Sequence, residues 1–521
     1  MEFLQNIQPR EYQQKIFETC TEKNCLVVLP TGMGKTLVAL MLSINRLQKF
    51  PEDKILFLAP TKPLAEQHLN YYKKHLPELF AEMNLFTGAI QPNKRKKLWE
   101  VSDIIFSTPQ CIANDIKNNL YNLENVSLLV EDEAHRCLKN YDYNFVAQKY
   151  KEYAKNQRII GMTASPGSEE KKIKEICKNL SIEEVELRTR ESDDVKSYLQ
   201  KLDFKKIMVE FPPEFSEIKN ALKKIFDSYI DNLRERHMLF GFATKIELIK
   251  LQKKISFMLS RGNKNFGYFI GASACAQAIK LQHAMELLET QTLESFNNYM
   301  KNLFEQARKA QSKGVQKLIA MPEFNFAFAS SIELLAKNVE HPKVHEILEL
   351  ISREILENKK AKILVFTQFR DTASIISRKL NDKNITAEIF VGQAKKTTNG
   401  KSTGLNQKEQ KKIIERFSEG EINVLCATSI GEEGLDIPEV NAVIFYEPVP
   451  SAIRAIQRAG RTARLFEGKL MILVTRKTRD EGAYYASRSR EKKMHSSIDS
   501  VNKELKDKNN KEEKQKTSEE F

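Results

Sequence analysis

Three short stretches carry residue types at spacings suited to phosphate chemistry. Leu29 to Thr36 reads LPTGMGKT, at the end of an apolar run and before a helical pattern. In the loop Thr31-Gly32-Met33-Gly34, the two glycines would let backbone N–H groups close around phosphate oxygens. Lys35 would reach the outer phosphates, and the Thr36 hydroxyl would ligate Mg²⁺. Leu29 stands where the pattern G-x-x-x-x-G-K-[ST] has glycine, so a plain glycine-rich strand-to-helix turn fits the same letters. Asp132-Glu133-Ala134-His135 follows the apolar run Val126 to Val130. A carboxylate at a strand end can hold the metal, directly or through water. The next one can orient and deprotonate the attacking water. Acidic pairs at strand ends are common, and this one gains weight from sharing a sheet pattern with Lys35. Gln457 to Arg464 reads QRAGRTAR. Arg461 and Arg464 share a helix face and could neutralise charge developing on a γ-phosphate from across a cleft. Alone, that stretch reads more readily as a solvated basic helix.

These residues need rigid elements to hold them. Cys25 to Leu29, Ile55 to Ala59, Asp103 to Ser107, Val126 to Val130 and Ile159 to Met162 read as buried strands. Leu37, Val38, Leu40, Met41, Ile44 and Leu47 repeat at helix spacing. Strand, helix, strand in this order predicts a parallel sheet covered on both faces. From about Pro213 to Glu340 no strand alternation is visible, and Ile218, Leu222, Ile225, Tyr229 and Leu233 mark a helical stripe. This stretch holds 18 Lys/Arg against 13 Asp/Glu, so it is mildly basic. Strands return at Ile363 to Phe366, Ala387 to Val391, Val424 to Ala427, Val443 to Tyr446 and Leu470 to Val474. The expected fold is α/β, with two parallel-sheet units and an α-helical insert between them. The expected divisions are 1–205, 206–340 and 341–494, with 495–521 a charged disordered tail.

Lys plus Arg is 83 and Asp plus Glu is 69, a net charge of +14, which suggests an anionic partner, nucleic acid first. The seven cysteines include no Cys-x-x-Cys pair, which fits a reduced compartment and not a structural zinc site. The first residues lack a signal pattern, and no apolar run approaches membrane-spanning length. No membrane partner and a cytoplasmic location are therefore expected. Lys94 to Lys97 reads as a solvated loop. Cys20 and Cys25 read as ordinary buried thiols. Phe324, Phe326 and Phe328 read as packing of the insert, and Tyr484 and Tyr485 as closing the second unit's core.

Together, and in this order, the segments resemble the helicases of superfamily 2 over about 490 of the 521 residues. Arg10 and Gln13 in PREYQ resemble the adenine-reading motif, and LPTGMGKT the phosphate loop, whose first glycine is often missing in that family. Pro60, Thr61 and Lys62, then Thr87 and Gly88, then Thr108, Pro109 and Gln110, resemble nucleic-acid motifs of the first unit. DEAH and Thr163-Ala164-Ser165 follow. In the second unit VFTQFRDTA (Val365 to Ala373) contains Thr367 and Gln368, and FVGQA (Phe390 to Ala394) contains Gly392 and Gln393. ATSIGEEGLDIPEV (Ala427 to Val440) contains Thr428, Gly434 and Asp436, and QRAGRTAR comes last. His341 to Lys343 (HPK), VFTQFRDTA, FVGQA, ATSIGEEGLD and TRDEGAYYAS look like the Hef and Fanconi anaemia M family.

The resemblance implies two RecA-like motor domains with a thumb-like insert that grips duplex nucleic acid. It implies ATP and Mg²⁺, with Lys35, Asp132, Glu133, Arg461 and Arg464 catalytic and Thr36 and Asp132 holding the metal. Arg10, Gln13, Gly434, Asp436 and Gln457 would help bind nucleotide, and His135, Thr163 and Ser165 would couple hydrolysis to movement. Thr61, Thr108 and Thr428 would hold successive phosphates of the strand, contacts that carry no sequence information. Branched DNA is the expected substrate, for a monomeric motor near the nucleoid of an archaeal cell. A separate nuclease or a replication clamp is an expected partner, since no acidic nuclease motif follows residue 480 and no nuclease activity is expected. Ala459 and Ala463 depart from the family's usual Arg and Gly and put rate and coupling in question, but Arg461 and Arg464 are kept. Competing readings are an RNA-directed ATPase on double-stranded RNA and a non-catalytic junction-binding scaffold. A small-molecule NTPase would have no use for the nucleic-acid motifs.

Overall fold

The computed structural model describes residues 3–30, 32–139, 141–189, 192–198, 202–262, 265–392, 397–398, 401–402, 405–428, 438–448 and 468–519. The first unit is built on strands β1 (Cys25–Val28), β2 (Lys54–Leu58), β3 (Met83–Phe86), β4 (Ile104–Ser107), β5 (Val126–Asp132), β6 (Ile159–Thr163) and β7 (Glu184–Leu187). They form one parallel sheet in the order β3-β4-β2-β5-β6-β1-β7. Side chains alternate between its faces. Val27 and Phe57 pack with the helices Glu11–Glu22, Lys35–Lys49 and Lys62–His75. Leu26, Val28, Leu56 and Leu58 pack with Pro109–Lys117, Asp142–Tyr153 and Glu170–Asn179 on the other face. Both faces are covered, so every residue of β1, β4, β5 and β6 is buried and most of them are apolar. Each fully buried Leu, Ile or Phe contributes about 1.5–3 kcal/mol of transfer free energy.

The second sheet holds β8 (Leu202–Val209), β9 (Ile363–Thr367), β10 (Ala387–Phe390), β13 (Val424–Thr428), β14 (Ala442–Phe445) and β15 (Gly468–Thr475), in the order β10-β13-β9-β14-β15-β8. All its pairings are parallel. A two-residue ribbon, β11 (Thr397–Thr398) and β12 (Lys401–Ser402), stands apart. Strand β8 crosses the division expected at 205/206 and pairs with β15 along its whole length. It is an edge strand, and Lys205 and Lys206 on it discourage pairing with another chain.

Among the described residues the insert has six helices: Pro213–Glu235, Lys245–Ser260, Phe266–Thr290, Leu293–Arg308, Lys313–Ile319 and Pro322–Ala336. Side chains of Thr244, Asn265, Thr292 and Ser312 cap four of them by accepting a backbone N–H of the first turn. Phe324 is buried in the bundle and Phe326 faces solvent. Among the described residues no single helix is long and apolar enough to cross a membrane.

The stretch expected as a disordered tail is different. Arg479–Glu519 is one helix, about 60 Å long at 1.5 Å per residue. Met494, Ile498 and Val501 are buried in the first unit's core, with Leu505 partly so. Asn502 pairs with both the N–H (3.1 Å) and the carbonyl (3.0 Å) of Val185 on β7. The average composition of the tail hides this single apolar stripe at i, i+4, i+7 and i+11. The helix starts beside β15 and docks on the opposite unit. The solvated reading of Lys94 to Lys97 also fails at one position. These residues lie on the helix Pro92–Val101, where Arg95 is buried against Asp115 at 2.5 Å.

Candidate active site

The phosphate loop runs from β1 into the helix Lys35–Lys49. Gly32 and Gly34 take left-handed φ values of +84° and +78°, and Gly34 is the N-cap. A Cβ on Gly34 would lie 2.2 Å from Gln13 Nε2, so glycine is required there by conformation and by space. Gln13 Nε2 donates to the Met33 carbonyl at 3.0 Å, and the Tyr12 hydroxyl donates to the same oxygen at 2.8 Å. Gln13 Oε1 in turn accepts from the Arg10 N–H at 2.9 Å. The loop is thus pinned to the first helix by Tyr12 and by Gln13, one of the two residues expected to read adenine. Lys35 Nζ donates to the Leu29 carbonyl at 2.9 Å, which sets the ammonium inside the loop.

The acidic pair sits at the same edge of the sheet. Leu29 N–H donates to the Thr163 carbonyl at 3.1 Å and ties the loop to the end of β6, which lies between β1 and β5. Asp132 closes β5, and its Oδ2 lies 2.9 Å from His68 Nε2 on the helix Lys62–His75. Its backbone carbonyl accepts from the Tyr143 hydroxyl at 2.7 Å. Glu133 has φ +53°, a left-handed turn that costs a non-glycine residue about 1–2 kcal/mol. His135 Nδ1 lies 3.2 Å from Glu133 Oε2 and 3.2 Å from Thr163 Oγ1. Thr163 Oγ1 accepts from the Ser165 N–H at 3.1 Å, and the Ser165 hydroxyl donates to Met494 Sδ at 2.9 Å. A continuous polar path therefore runs from Glu133 through His135, Thr163 and Ser165 to the C-terminal helix.

Directly before this pair, Glu131 is fully buried and accepts from Cys137 Sγ at 2.8 Å. Burial pushes its carboxyl up to about 8 against that hydrogen bond, which favours the neutral form at pH 7. All seven cysteines, Cys20 and Cys25 included, are buried thiols.

The nucleic-acid candidates cluster at strand ends. Thr61 and Thr108 are the N-caps of the helices that follow β2 and β4. Thr367 and Thr428 end β9 and β13 and are paired in register. The hydroxyls of Thr61, Thr367 and Thr428 are buried and have no hydrogen-bond partner among the described residues. Such groups are rare in proteins and suit ligand oxygens. Pro60 and Lys62 flank Thr61, and Pro109 begins its helix while Gln110 Nε2 donates to the Tyr141 hydroxyl at 3.2 Å. The Thr87 carbonyl is held by Arg95 at 3.3 Å, and Gly88 is exposed, with open space where a Cβ would go. Gln368 N–H donates to Glu447, and the Gly392 carbonyl accepts from Arg370 at 3.0 Å. Thr31, Gln393, Gly434, Asp436, Gln457, Arg461 and Arg464 lie outside the described residues.

Sequence reasoning missed His68. Its signal is visible afterwards: Ala65, His68, Leu69 and Tyr72 share one buried helix face, and a lone polar ring on such a face needs a partner. The partner, 64 positions away, can only be seen in the fold.

Family models match three consecutive stretches: DEAD/DEAH box helicase at residues 10–173, the helical bundle of an ATP-dependent RNA helicase at 214–340, and helicase conserved C-terminal domain at 342–466. The crystal structure of the Pyrococcus furiosus Hef helicase domain is 41% identical with a TM-score of 0.73, covering 93% of this chain and 100% of that one. A Methanocaldococcus jannaschii protein whose name calls it an ATP-dependent RNA helicase is 38% identical over 94% of this chain and 60% of its own length. The Sclerotinia sclerotiorum ATP-dependent DNA helicase mph1 is 30% identical over 94% of this chain and 41% of its own length. The mouse Fanconi anemia group M protein homolog is 31% identical over 95% of this chain. The chain spans 26% of that protein's length, and so only part of each of these three curated relatives. The chain belongs to the Hef and Fanconi anaemia M family of superfamily 2 helicases, with two RecA-like units and a helical bundle between them.

Proposed function

We propose that the chain is an ATP-driven helicase or translocase acting on branched DNA. The observation that carries this reading is one polar path that joins the phosphate-loop edge of the first sheet to the C-terminal helix. The phosphate loop and Asp132–Glu133 share a sheet edge, and His135 connects Glu133 to Thr163 and Ser165. Hydrolysis at Glu133 is then felt at the loop that touches the C-terminal helix. Glu133 orients and deprotonates the attacking water, while Lys35 and the N–H groups of the Lys35–Lys49 helix hold the phosphates. Thr36 and Asp132 are hard oxygen donors and fit Mg²⁺, which when bound would neutralise phosphate charge. His68 fixes one oxygen of Asp132 and keeps its carboxylate oriented. Arg461 and Arg464 would complete the site from the second unit, a role worth about 10³–10⁵ in rate.

The unpartnered hydroxyls of Thr61, Thr367 and Thr428 support a phosphate backbone as the track. Such contacts read no sequence, so the shape of the substrate selects it. The name of the fungal relative favours DNA, and the name of the Methanocaldococcus relative favours RNA. We place the motor in the cytoplasm, working with a nuclease or a clamp.

ATP hydrolysis should be measured with no nucleic acid, forked DNA, linear duplex DNA and duplex RNA, with Lys35→Ala as control. Strong stimulation by forked DNA, lost in the Lys35 variant, supports the reading. Stimulation by duplex RNA alone moves the chain to RNA. No hydrolysis despite tight fork binding makes it a scaffold.

A further inference from the structure

One end of the helical insert combines anchored backbone with exposed aromatic rings. The loop between Pro213–Glu235 and Lys245–Ser260 is held in place. Arg234 donates to the Gly241 carbonyl at 3.3 Å, and Leu239 is buried. Met238 fills the space beside Gly271, where an added Cβ would lie 2.3 Å from its sulfur. The loop is therefore docked against the start of the helix Phe266–Thr290. Yet Phe240 and Phe242, on either side of Gly241, are 77% and 88% exposed. Phe266 and Phe269 at the start of that helix are 76% and 53% exposed. Five of the seven exposed phenylalanines among the described residues fall between residues 240 and 269, so this is a patch and not a scatter.

The charge of the same segment chooses its partner. Residues 234–269 contain eight Lys/Arg and two Glu, 8 − 2 = +6 of the chain's +14. An apolar protein partner would have to bury those cations. Rings mixed with cations suit a single-stranded nucleic acid, whose bases have open faces for stacking and whose phosphates pair with Lys and Arg. Inside a duplex the base faces are already covered, so rings gain only at an end or where strands part. Arg261, with its guanidinium 4.3 Å over the Phe257 ring, shows the two residue types already interleaved.

We propose that this tip, with Phe240 and Phe242 foremost, stacks on unpaired bases beside a duplex end and so marks the branch point for the motor. This rests on the nucleic-acid reading above and adds the site and the ligand. The phenylalanines make few contacts within the protein, so replacing them should leave the fold intact.

The test compares the unaltered chain, Phe240→Ser/Phe242→Ser, and Phe240→Trp/Phe242→Trp, each checked for unchanged thermal unfolding. Fluorescence anisotropy gives affinity for a fork with single-stranded arms and for a blunt duplex of equal length. 2-Aminopurine beside the branch reports stacking. The serine variant should lose about tenfold on the fork, a modest share of what one or two stacked bases supply, with almost no change on the blunt duplex. The tryptophan variant should keep the affinity and the 2-aminopurine response. Equal fork affinity in all three overturns the proposal, as does equal loss on fork and blunt duplex. Retained fork binding with lost binding to anionic lipid vesicles assigns the tip to a membrane and also overturns it. ATP hydrolysis separates this from the motor reading: a fork-selective loss in a chain that never hydrolyses ATP keeps the tip and removes the motor.

Discussion

Lys343 and Asp480 form an ion pair at 2.7 Å with both side chains buried. Lys343 Nζ also donates to the Tyr446 carbonyl at 3.0 Å, and Asp480 Oδ2 accepts from the Thr475 N–H and hydroxyl at 3.2 and 3.0 Å. The pair joins the helix Pro342–Glu357, the end of β14 and the root of the C-terminal helix. His341 extends the cluster to the insert. Its Nδ1 accepts from the Lys343 N–H, and Nε2 donates to the Glu289 carbonyl at 3.2 Å. Burial holds this imidazole well below its ordinary pKa, so it is neutral. The HPK triplet is thus a joint between the insert and the second motor unit.

Asp480→Asn should therefore destabilise strongly, since it leaves the Lys343 ammonium buried without its counter-charge. Removing one partner of a buried pair costs about 3–5 kcal/mol. Lys343→Met with Asp480→Leu should recover most of that loss in chemical denaturation. A single variant as stable as the unaltered chain would show that water reaches the pair.

Gly34→Ala should damage nucleotide binding and stability together. The left-handed φ costs about 1–2 kcal/mol, and the methyl would meet Gln13 Nε2 at 2.2 Å. Gln13→Ala added to Gly34→Ala removes the clash but not the φ cost, so thermal stability should return only in part. Full recovery would mean that backbone strain is unimportant there.

The C-terminal helix gives a local prediction. Asn502→Ala should leave the Val185 N–H without its acceptor and raise its hydrogen exchange, with amides of β1 unchanged. Ile498→Ala, which removes a fully buried side chain, should cost about 2–5 kcal/mol. Unchanged exchange at Val185 would mean that the helix does not dock in solution.

These contacts also show where sequence reading works. Val126–Val130 is legible as a strand because burial on both faces makes four of its five residues apolar. LPTGMGKT is legible because its geometry is local. Strand β8, LDFKKIMV, is not, since half of it faces solvent at a sheet edge and its partner β15 comes 266 positions later. The docked part of the C-terminal helix is hidden among charges, because one stripe of four apolar residues suffices when the receiving surface is already built. His68, Arg95 and Asp480 escape for a shared reason. Each is polar and buried only because of one distant partner, and residue type alone predicts a surface position.

Glu447 carries the last prediction. It is buried beside the Lys343–Asp480 pair and accepts the Gln368 N–H. Burial pushes its carboxyl up to about 8, with Lys343 acting the other way. With Glu447 neutral at pH 7, the cluster contains one cation and one anion, which is the arrangement a low-dielectric site tolerates. The sign follows from proton counting. Below about pH 4.3, the ordinary value for Glu, both states hold the proton and stability does not respond. Between there and pH 8 the unfolded chain releases it while the folded chain keeps it. Stability therefore falls as pH rises through that window, by up to about 1.4 kcal/mol per pH unit, and levels off above it. Glu447→Gln keeps the shape and a hydrogen-bond acceptor but removes the titration. Its melting temperature should drop less between pH 5 and pH 8 than that of the unaltered chain. Part of the drop should persist, because Glu131, also raised to about 8, acts with the same sign. A glutamine variant with an equally steep decline would mean that Glu447 is ionised in the fold, and that Lys343 is shared between two carboxylates.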